Sequence, residues 1–220
     1  DFVGNLMEPH ILSYEDEQVE NCLDLQESAN LISFSTLPQF SDFPDCIAAI
    51  LGEGESAVHA NDDWYGSLTE LSCEDGYWAV NGCDGFELCY EGMECSDSIS
   101  YSLHTGANLV SYSLSECRYI EEVLPEDVQD CLNAIGGEGQ GALNLGDYWV
   151  GSLTALCPDD GYWFESLCDI EFTYNESTSL ARQQVLNPSP YSYHQSSQQA
   201  FYFIESVEDI VIGDWIIAYN

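Results

Sequence analysis

Carboxylates are the residues here that could do chemistry by type and spacing. They stand side by side at Asp62-Asp63 before Trp64, at Glu74-Asp75 before Gly76-Tyr77-Trp78, and at Asp159-Asp160 before Gly161-Tyr162-Trp163. Asp147 holds the matching place ahead of Trp149. Two acids facing across a cleft are the machinery of glycoside hydrolysis. With 40 acids in 220 residues, however, adjacency singles out no pair. Ser67 and Ser152 recur in Gly-Ser-Leu but lack the G-x-S-x-G frame of a nucleophile elbow. His10, His59, His104 and His194 have no counterparts across the two copies of the repeat described below; His59 aligns with Asn144. A duplicated Ser-His-Asp relay is thereby excluded. No catalytic residue is assigned, and the chain is expected not to be an enzyme.

Cysteine is the second chemically capable residue. The ten are Cys22, Cys46, Cys73, Cys83, Cys89, Cys95, Cys117, Cys131, Cys157 and Cys168. No Cys-x-x-Cys pair occurs and histidines are few, so zinc or haem ligation fits poorly. An even count points to five disulfides formed in an oxidising, extracellular setting. No cofactor is expected. Calcium is the one compatible cation, because hard oxygen ligands abound, yet no D-x-D-x-D-G loop is present. The Gly-Glu-Gly triplets at 52–54 and 137–139 have no lysine and are not phosphate loops.

These groups must be positioned by a duplicated scaffold. Asp45–Trp78 aligns with Asp130–Trp163 without a gap, and more than half of the pairs are identical. "GSLTELSCEDGYW" answers "GSLTALCPDDGYW", and "SANLISFS" answers "GANLVSYS" upstream, where the second copy carries seven extra residues that include Cys117. Such self-similarity marks repeated structural units. Each copy reads as a short strand (Leu31–Ser35, Leu109–Ser113), a short helix, a glycine turn, a tryptophan strand, the quoted phrase and a closing strand (Tyr77–Val80, Tyr162–Glu165). The helices are expected in "SDFPDCIAAIL" and "PEDVQDCLNAIGG", each punctuated by proline and acids at its start. Gly52 and Gly137 are expected to supply left-handed helix ends. The fold class is therefore mainly β with short helices, as two tandem duplicated, disulfide-stapled β-rich units with extended terminal segments. The organisation is an acidic arm (1–27), unit one (28–97), unit two (98–174), a Ser/Gln/Pro/Tyr-rich linker (175–199) and a C-terminal strand segment (200–220).

If the units share a fold, Cys73–Cys83 and Cys157–Cys168 are equivalent bridges, and Cys117 pairs with Cys131. The remaining four allow three connectivities, of which Cys22–Cys46 with Cys89–Cys95 is taken. Cys73 and Cys157 sit one place apart in the alignment, which a loop disulfide absorbs more readily than a metal ligand or nucleophile would.

Charge narrows the partners. Two arginines, Arg118 and Arg182, oppose the 40 acids, and the net charge is −38. Such a surface repels phosphate and anionic membranes, so neither nucleic acid nor membrane insertion is expected. No run approaches a membrane span. The chain opens on "DFVGNLMEPH" without a leader, as a mature secreted chain would. Asn175-Glu176-Ser177 is a glycosylation sequon, with Asn175 as candidate acceptor. Trp64, Trp78, Trp149 and Trp163 recur in register. They serve either as the large core residues of a small β unit or as a sugar-stacking face.

The phrases "NLISFS…GEG…W-x-GSL…GYW" and "SSQQAFYFIESVEDIVIGDWIIAYN" resemble modules of large secreted, multi-module surface proteins of aquatic microbes. The resemblance covers Asn30–Tyr90, Asn108–Tyr174 and Gln198–Asn220. It implies small β modules and says little about activity. The terminal module stops after its first strands, so its partners are expected from another chain or from a cut precursor. Ala200, Phe201, Tyr202, Phe203, Ile204, Trp215, Ile216 and Ile217 become assembly candidates. The expected function is a secreted structural subunit that polymerises with itself into a filament or sheath. A cell-surface adhesin or carbohydrate-binding module with a glycan partner is the alternative.

Overall fold

The computed structural model describes residues 18–146 and 148–175. They belong to a single body that holds both repeats. In the first repeat the strands are β1 (Val19–Leu25), β2 (Ser28–Ile32), β3 (Thr36–Leu37), β4 (Ile47–Leu51), β5 (Ser56–Ala60), β6 (Asp63–Gly66), β7 (Tyr77–Asn81) and β8 (Phe86–Glu94). The second has β9 (Tyr101–Leu103), β10 (Gly106–Val110), β11 (Arg118–Tyr119), helices α1 (Ile120–Val123) and α2 (Glu126–Cys131), β12 (Leu132–Gly137), β13 (Gln140–Asn144), β14 (Trp149–Gly151), β15 (Ala155–Leu156), β16 (Tyr162–Ser166) and β17 (Ile170–Phe172). The chain is mainly β, as its alternating runs require.

Each repeat is built on one five-stranded antiparallel sheet, and the two have the same order: β2-β7-β4-β5-β6 and β10-β16-β12-β13-β14. The second strand in each order, β7 or β16, carries the Gly-Tyr-Trp phrase. In β7, Tyr77 and Ala79 point into the core, while Trp78 and Val80 face outward; β16 repeats this with Tyr162 and Phe164 inside. The period-2 alternation makes one face of each sheet apolar. A second layer covers that face, β8 flanked by β1 and β3 in the first repeat and β9 with β17 in the second. The cores correspond residue by residue. Ile32, Phe34, Ile47, Ile50, Ala57 and Leu68 in one match Val110, Tyr112, Leu132, Ile135, Ala142 and Leu153 in the other.

Val19–Leu25, read from sequence as part of the acidic arm, is β1, and it pairs along its whole length with β8. Leu23 and Leu25 are buried in the first core. The segment expected as a helix after Pro44 is instead β4, a five-residue strand held between β7 and β5. Only a single 3-10 turn, Phe40–Asp42, precedes it. In the second repeat the expected helix runs only to Cys131, and "LNAIGG" continues as β12. Both strands carry a bulge at the same place, Ile47/Ala49 and Leu132/Ala134. The left-handed glycines are Gly54 and Gly139, two places after those expected, and they turn hairpins rather than end helices.

The disulfides lie within repeats, but with different pairings from those expected. They are Cys22–Cys89, Cys46–Cys83, Cys73–Cys95, Cys117–Cys157 and Cys131–Cys168. Thus Cys73–Cys83, Cys157–Cys168, Cys117–Cys131, Cys22–Cys46 and Cys89–Cys95 are all overturned. Cys46–Cys83 and Cys131–Cys168 are the equivalent bridges, each spanning a sequence separation of 37. Each ties the start of a central strand to the turn after the Gly-Tyr-Trp strand, where a backbone bond also forms (Gly82 N–H to Cys46 O, Leu167 N–H to Cys131 O). Cys22–Cys89 joins directly opposed residues of β1 and β8.

Candidate functional site

In the duplicated phrase nearly every residue is engaged structurally. Gly66 and Gly151 have φ of 154° and 149°. A Cβ on either would lie about 2 Å from a carbonyl of the neighbouring strand (Ser56 O, Gly141 O), so no other residue fits. The hydroxyls of Ser67 and Ser152 accept from Ser56 N–H and Gly141 N–H, both at 3.2 Å. Leu68 and Leu153 are buried. The Tyr77 and Tyr162 hydroxyls accept from Ser72 N–H and Cys157 N–H at 2.8 Å. Burial drives both phenols well above their ordinary pKa.

The acids and glycine of the phrase join the repeats. Asp159-Asp160-Gly161 of the second repeat lies along the open edge of β2. Ser33 N–H donates to Asp159 O (2.8 Å), Gly161 N–H donates to Leu31 O (3.2 Å), and the Ser33 hydroxyl donates to Asp160 O (2.8 Å). Glu74-Asp75-Gly76 of the first repeat lies along β10 in the same way. Ser111 N–H donates to Glu74 O (3.0 Å) and Gly76 N–H to Leu109 O (3.1 Å). The acids of the Gly-Glu-Gly turns complete the exchange, with Leu31 N–H donating to Glu138 Oε2 and Leu109 N–H to Glu53 Oε2, both at 2.8 Å. Leu31 and Leu109 are buried yet belong to neither core cluster. Their methyls face Gly161 and Gly76. Each repeat therefore covers the edge strand of the other, which blunts two pairing edges.

The joint is electrostatically costly. Burial, then repulsion from Glu74, Glu55 and Glu53, pushes Asp75 above the ordinary carboxylate range. Asp160 is raised by burial and by Glu138 and Asp159, with partial relief from the Tyr162 hydroxyl. Glu138 is raised by burial, offset in part by Leu31 N–H. His104 bridges to Glu53 Oε1 at 2.7 Å. Its pKa is raised by a hydrogen bond to Thr105 O and by Glu53. The acids meet as neighbours of a backbone joint, and the hydroxyls beside them are spent on it: Ser35 donates to Asp159 Oδ1 at 2.8 Å and Tyr162 to Asp160 Oδ2 at 3.2 Å. Asp62 lies with Asn61 in the left-handed turn between β5 and β6; Asp147 lies outside the described residues.

The asparagines of the two "NL" phrases are anchors too. Asn30 and Asn108 are buried, and each amide donates to backbone carbonyls of its own turn and of the adjacent Gly-Tyr-Trp strand. Among the described residues the one metal-sized grouping is Glu20 with Cys22 and Cys89, whose sulfurs are tied up in their disulfide. Asn175 is half-buried, with its amide donating to Glu122 O. His10, His194 and the assembly candidates Ala200, Phe201, Tyr202, Phe203, Ile204, Trp215, Ile216 and Ile217 lie outside the described residues.

The four tryptophans in register divide into three settings. Trp78 and Trp163 stand on the outward faces of β7 and β16, opposite Leu31 and Leu109. Trp64 is covered by Phe40, Phe43 and His59, with ring centroids 5.0, 5.8 and 4.9 Å away. Trp149 lies beside a cleft of about 220 Å³. A larger hollow of about 510 Å³ is lined by Gln18, Glu20, Gln39, Asp42 and Glu91 beside Cys89 and Tyr90, and is strongly acidic. What sequence reasoning missed was the joint itself. Its signal was present, because the acids of the Gly-Glu-Gly turn and of the Gly-Tyr-Trp phrase are kept in both copies. No family model, no curated protein and no solved structure matches the chain.

Proposed function

We propose that this chain is a secreted, non-enzymatic structural subunit that assembles with copies of itself into an extracellular filament or sheath. One observation carries the reading. The inner edges of the two five-stranded sheets are closed by the joint, whereas among the described residues the outer edges, β6 and β14, have a neighbour on one side only. Exposed apolar residues cluster there on an otherwise acidic surface: Val58 and Tyr65 in the first repeat, Leu143, Leu145 and Tyr148 in the second. An open edge with apolar flanks is a template for an added strand. The strand-prone stretches at 200–204 and 210–219 are suitable donors by composition. Because an added copy continues the contact head to tail, the product is a fibre. Five disulfides fit an oxidising, extracellular setting.

Self-repulsion at −38 opposes assembly, so polymer should grow as salt shortens the screening length. Native mass spectrometry and negative-stain imaging of the full chain across a salt series test this. Assembly lost on deleting 198–220, and lost again in Tyr65→Lys with Tyr148→Lys, is the expected result. A monomer at every salt concentration rejects the function, and polymer unchanged by the deletion rejects the strand-donation route.

A further inference from the structure

The five disulfides staple each repeat to itself, and none crosses from one repeat to the other. The two hydrophobic cores are likewise separate. The joint is therefore a seam whose opening leaves both halves intact. Acids also crowd there: Asp75 is repelled by Glu74, Glu55 and Glu53, and Asp160 by Glu138 and Asp159.

The seam has two matching halves. In one, the Asp159-Asp160-Gly161 loop and Glu138 of the second repeat meet β2 of the first. Asn21 and Ser35 of the first repeat add side-chain bonds to Asp159 Oδ1 at 3.2 and 2.8 Å. In the other, the Glu74-Asp75-Gly76 loop and Glu53 of the first repeat meet β10 of the second, and the Ser111 hydroxyl donates to Cys73 O at 2.6 Å. Each half takes its loop from one repeat and its strand from the other. A second copy of the chain carries the same loops and strands.

The connection between the repeats is short and exposed. Cys95 is fixed to the first repeat by its N–H bond to Ser35 O (2.8 Å) and by its bridge to Cys73, and Ile99 is buried in the second core. Ser96, Asp97 and Ser98 between them are exposed. Two self-stapled bodies with complementary faces and a brief hinge are suited to exchange between copies, because the closed and exchanged forms make the same bonds and differ at the hinge.

We infer that the joint is an interaction surface for a second copy of this chain: the first repeat of one chain docks on the second repeat of the other, and the pair closes as an exchanged dimer. The surface consists of the inner edges, β2 and β10, with the loops that cover them. It stands apart from strands added at β6 and β14 and shares only its partner with the proposed assembly. Within one chain, closure competes at an effective concentration of about millimolar. Dilute chain is therefore monomeric, and exchange takes over as the protein concentration approaches that value.

The test is complementation in the full chain, with Tyr65→Lys and Tyr148→Lys throughout to remove the outer-edge contact. Gly161→Ala disrupts the half seated on β2, and Gly76→Ala the half seated on β10. Isotope-labelled Gly161→Ala and unlabelled Gly76→Ala are mixed, opened in mild urea with the disulfides intact, and returned to buffer. An exchanged heterodimer rebuilds one native joint and places both alanines in the other, whereas a homodimer of either variant gains nothing. Native mass spectrometry should find the heterodimer about tenfold or more above either homodimer. If the glycine variants do not fold, Ser33→Ala with Ser111→Ala is the milder pair, each removing one hydroxyl bond of one half, and the same excess is expected. A heterodimer at its random share overturns the inference, as does a mixture that stays monomeric up to millimolar concentration. Assembly of the chain with native Tyr65 and Tyr148 is untouched by either result.

Discussion

Gly161→Ala probes the joint between the repeats at one atom. A Cβ there would lie 2.6 Å from Ile32 O and 3.2 Å from a Leu31 methyl, and the nearer obstacle is backbone. The loop must therefore retreat from β2. Retreat removes the Ser33 N–H to Asp159 O and Gly161 N–H to Leu31 O bonds and loosens the Ser33 hydroxyl bond to Asp160 O. At about 0.5–1.5 kcal/mol for each bond, the loss is roughly 1–3 kcal/mol. The alanine also narrows the unfolded ensemble, which returns up to about 1 kcal/mol. Gly82→Ala isolates that second effect. Its Cβ meets Cys46 O at an ordinary 3.6 Å, so it should be neutral or slightly stabilising. Thermal and urea unfolding of both variants should separate them by roughly 2–12 °C in Tm for a chain of this size. Gly76→Ala should resemble Gly161→Ala, because its Cβ meets Val110 O at 2.8 Å. The double variant should cost less than the two together, since one opened contact loosens the other. Equal stability of Gly161→Ala and Gly82→Ala would refute the joint as described.

Acidification from pH 8 to pH 5 should raise Tm. Asp75, Asp160 and Glu138 have raised pKa values, so their contribution is full below about 4 and is lost as pH rises through those raised values. His104 acts in the same direction nearer neutrality, and Asp169, held low by Thr105, reverses the trend only in strong acid. Asp75→Asn with Asp160→Asn should flatten the profile, and an unchanged slope counts against burial as its cause. Removing Cys46–Cys83 as a double serine variant should cost about 4 kcal/mol for its 37-residue separation, and non-reducing peptide mapping should recover that pair rather than Cys73–Cys83.

The β class and the duplicated organisation were legible because alternation and self-similarity are local or nearly so. The helix in "IAAIL" was misread for a physical reason. Pro44, neighbouring acids and Gly52 are sound helix punctuation, but a run of five residues gains more from two flanking strands than from a single turn of helix. "PEDVQDC" keeps its helix because it has no such flanks until Leu132. The bridges were decipherable in part. Cys46 and Cys83 align with Cys131 and Cys168 at one offset, whereas Cys73 and Cys157 do not, and only the first set can be equivalent. The joint needed coordinates, because its bonds link residues far apart in sequence, 56 positions between Glu53 and Leu109 and 107 between Leu31 and Glu138.

The reciprocal form of that joint also bears on ancestry. The strand of each half receives the loop of the other, so the same patch serves both sides, which is the signature of an isologous contact between identical subunits. One unduplicated repeat could satisfy these bonds only with a second copy of itself. The present chain therefore has the form of a covalently tethered pair of like units. Its linker through residues 96–98 replaces a bimolecular association with an effective concentration in the millimolar range. Freed from having to match its twin, one half could then take an insertion, as the second repeat did around Cys117, without unmaking the pair.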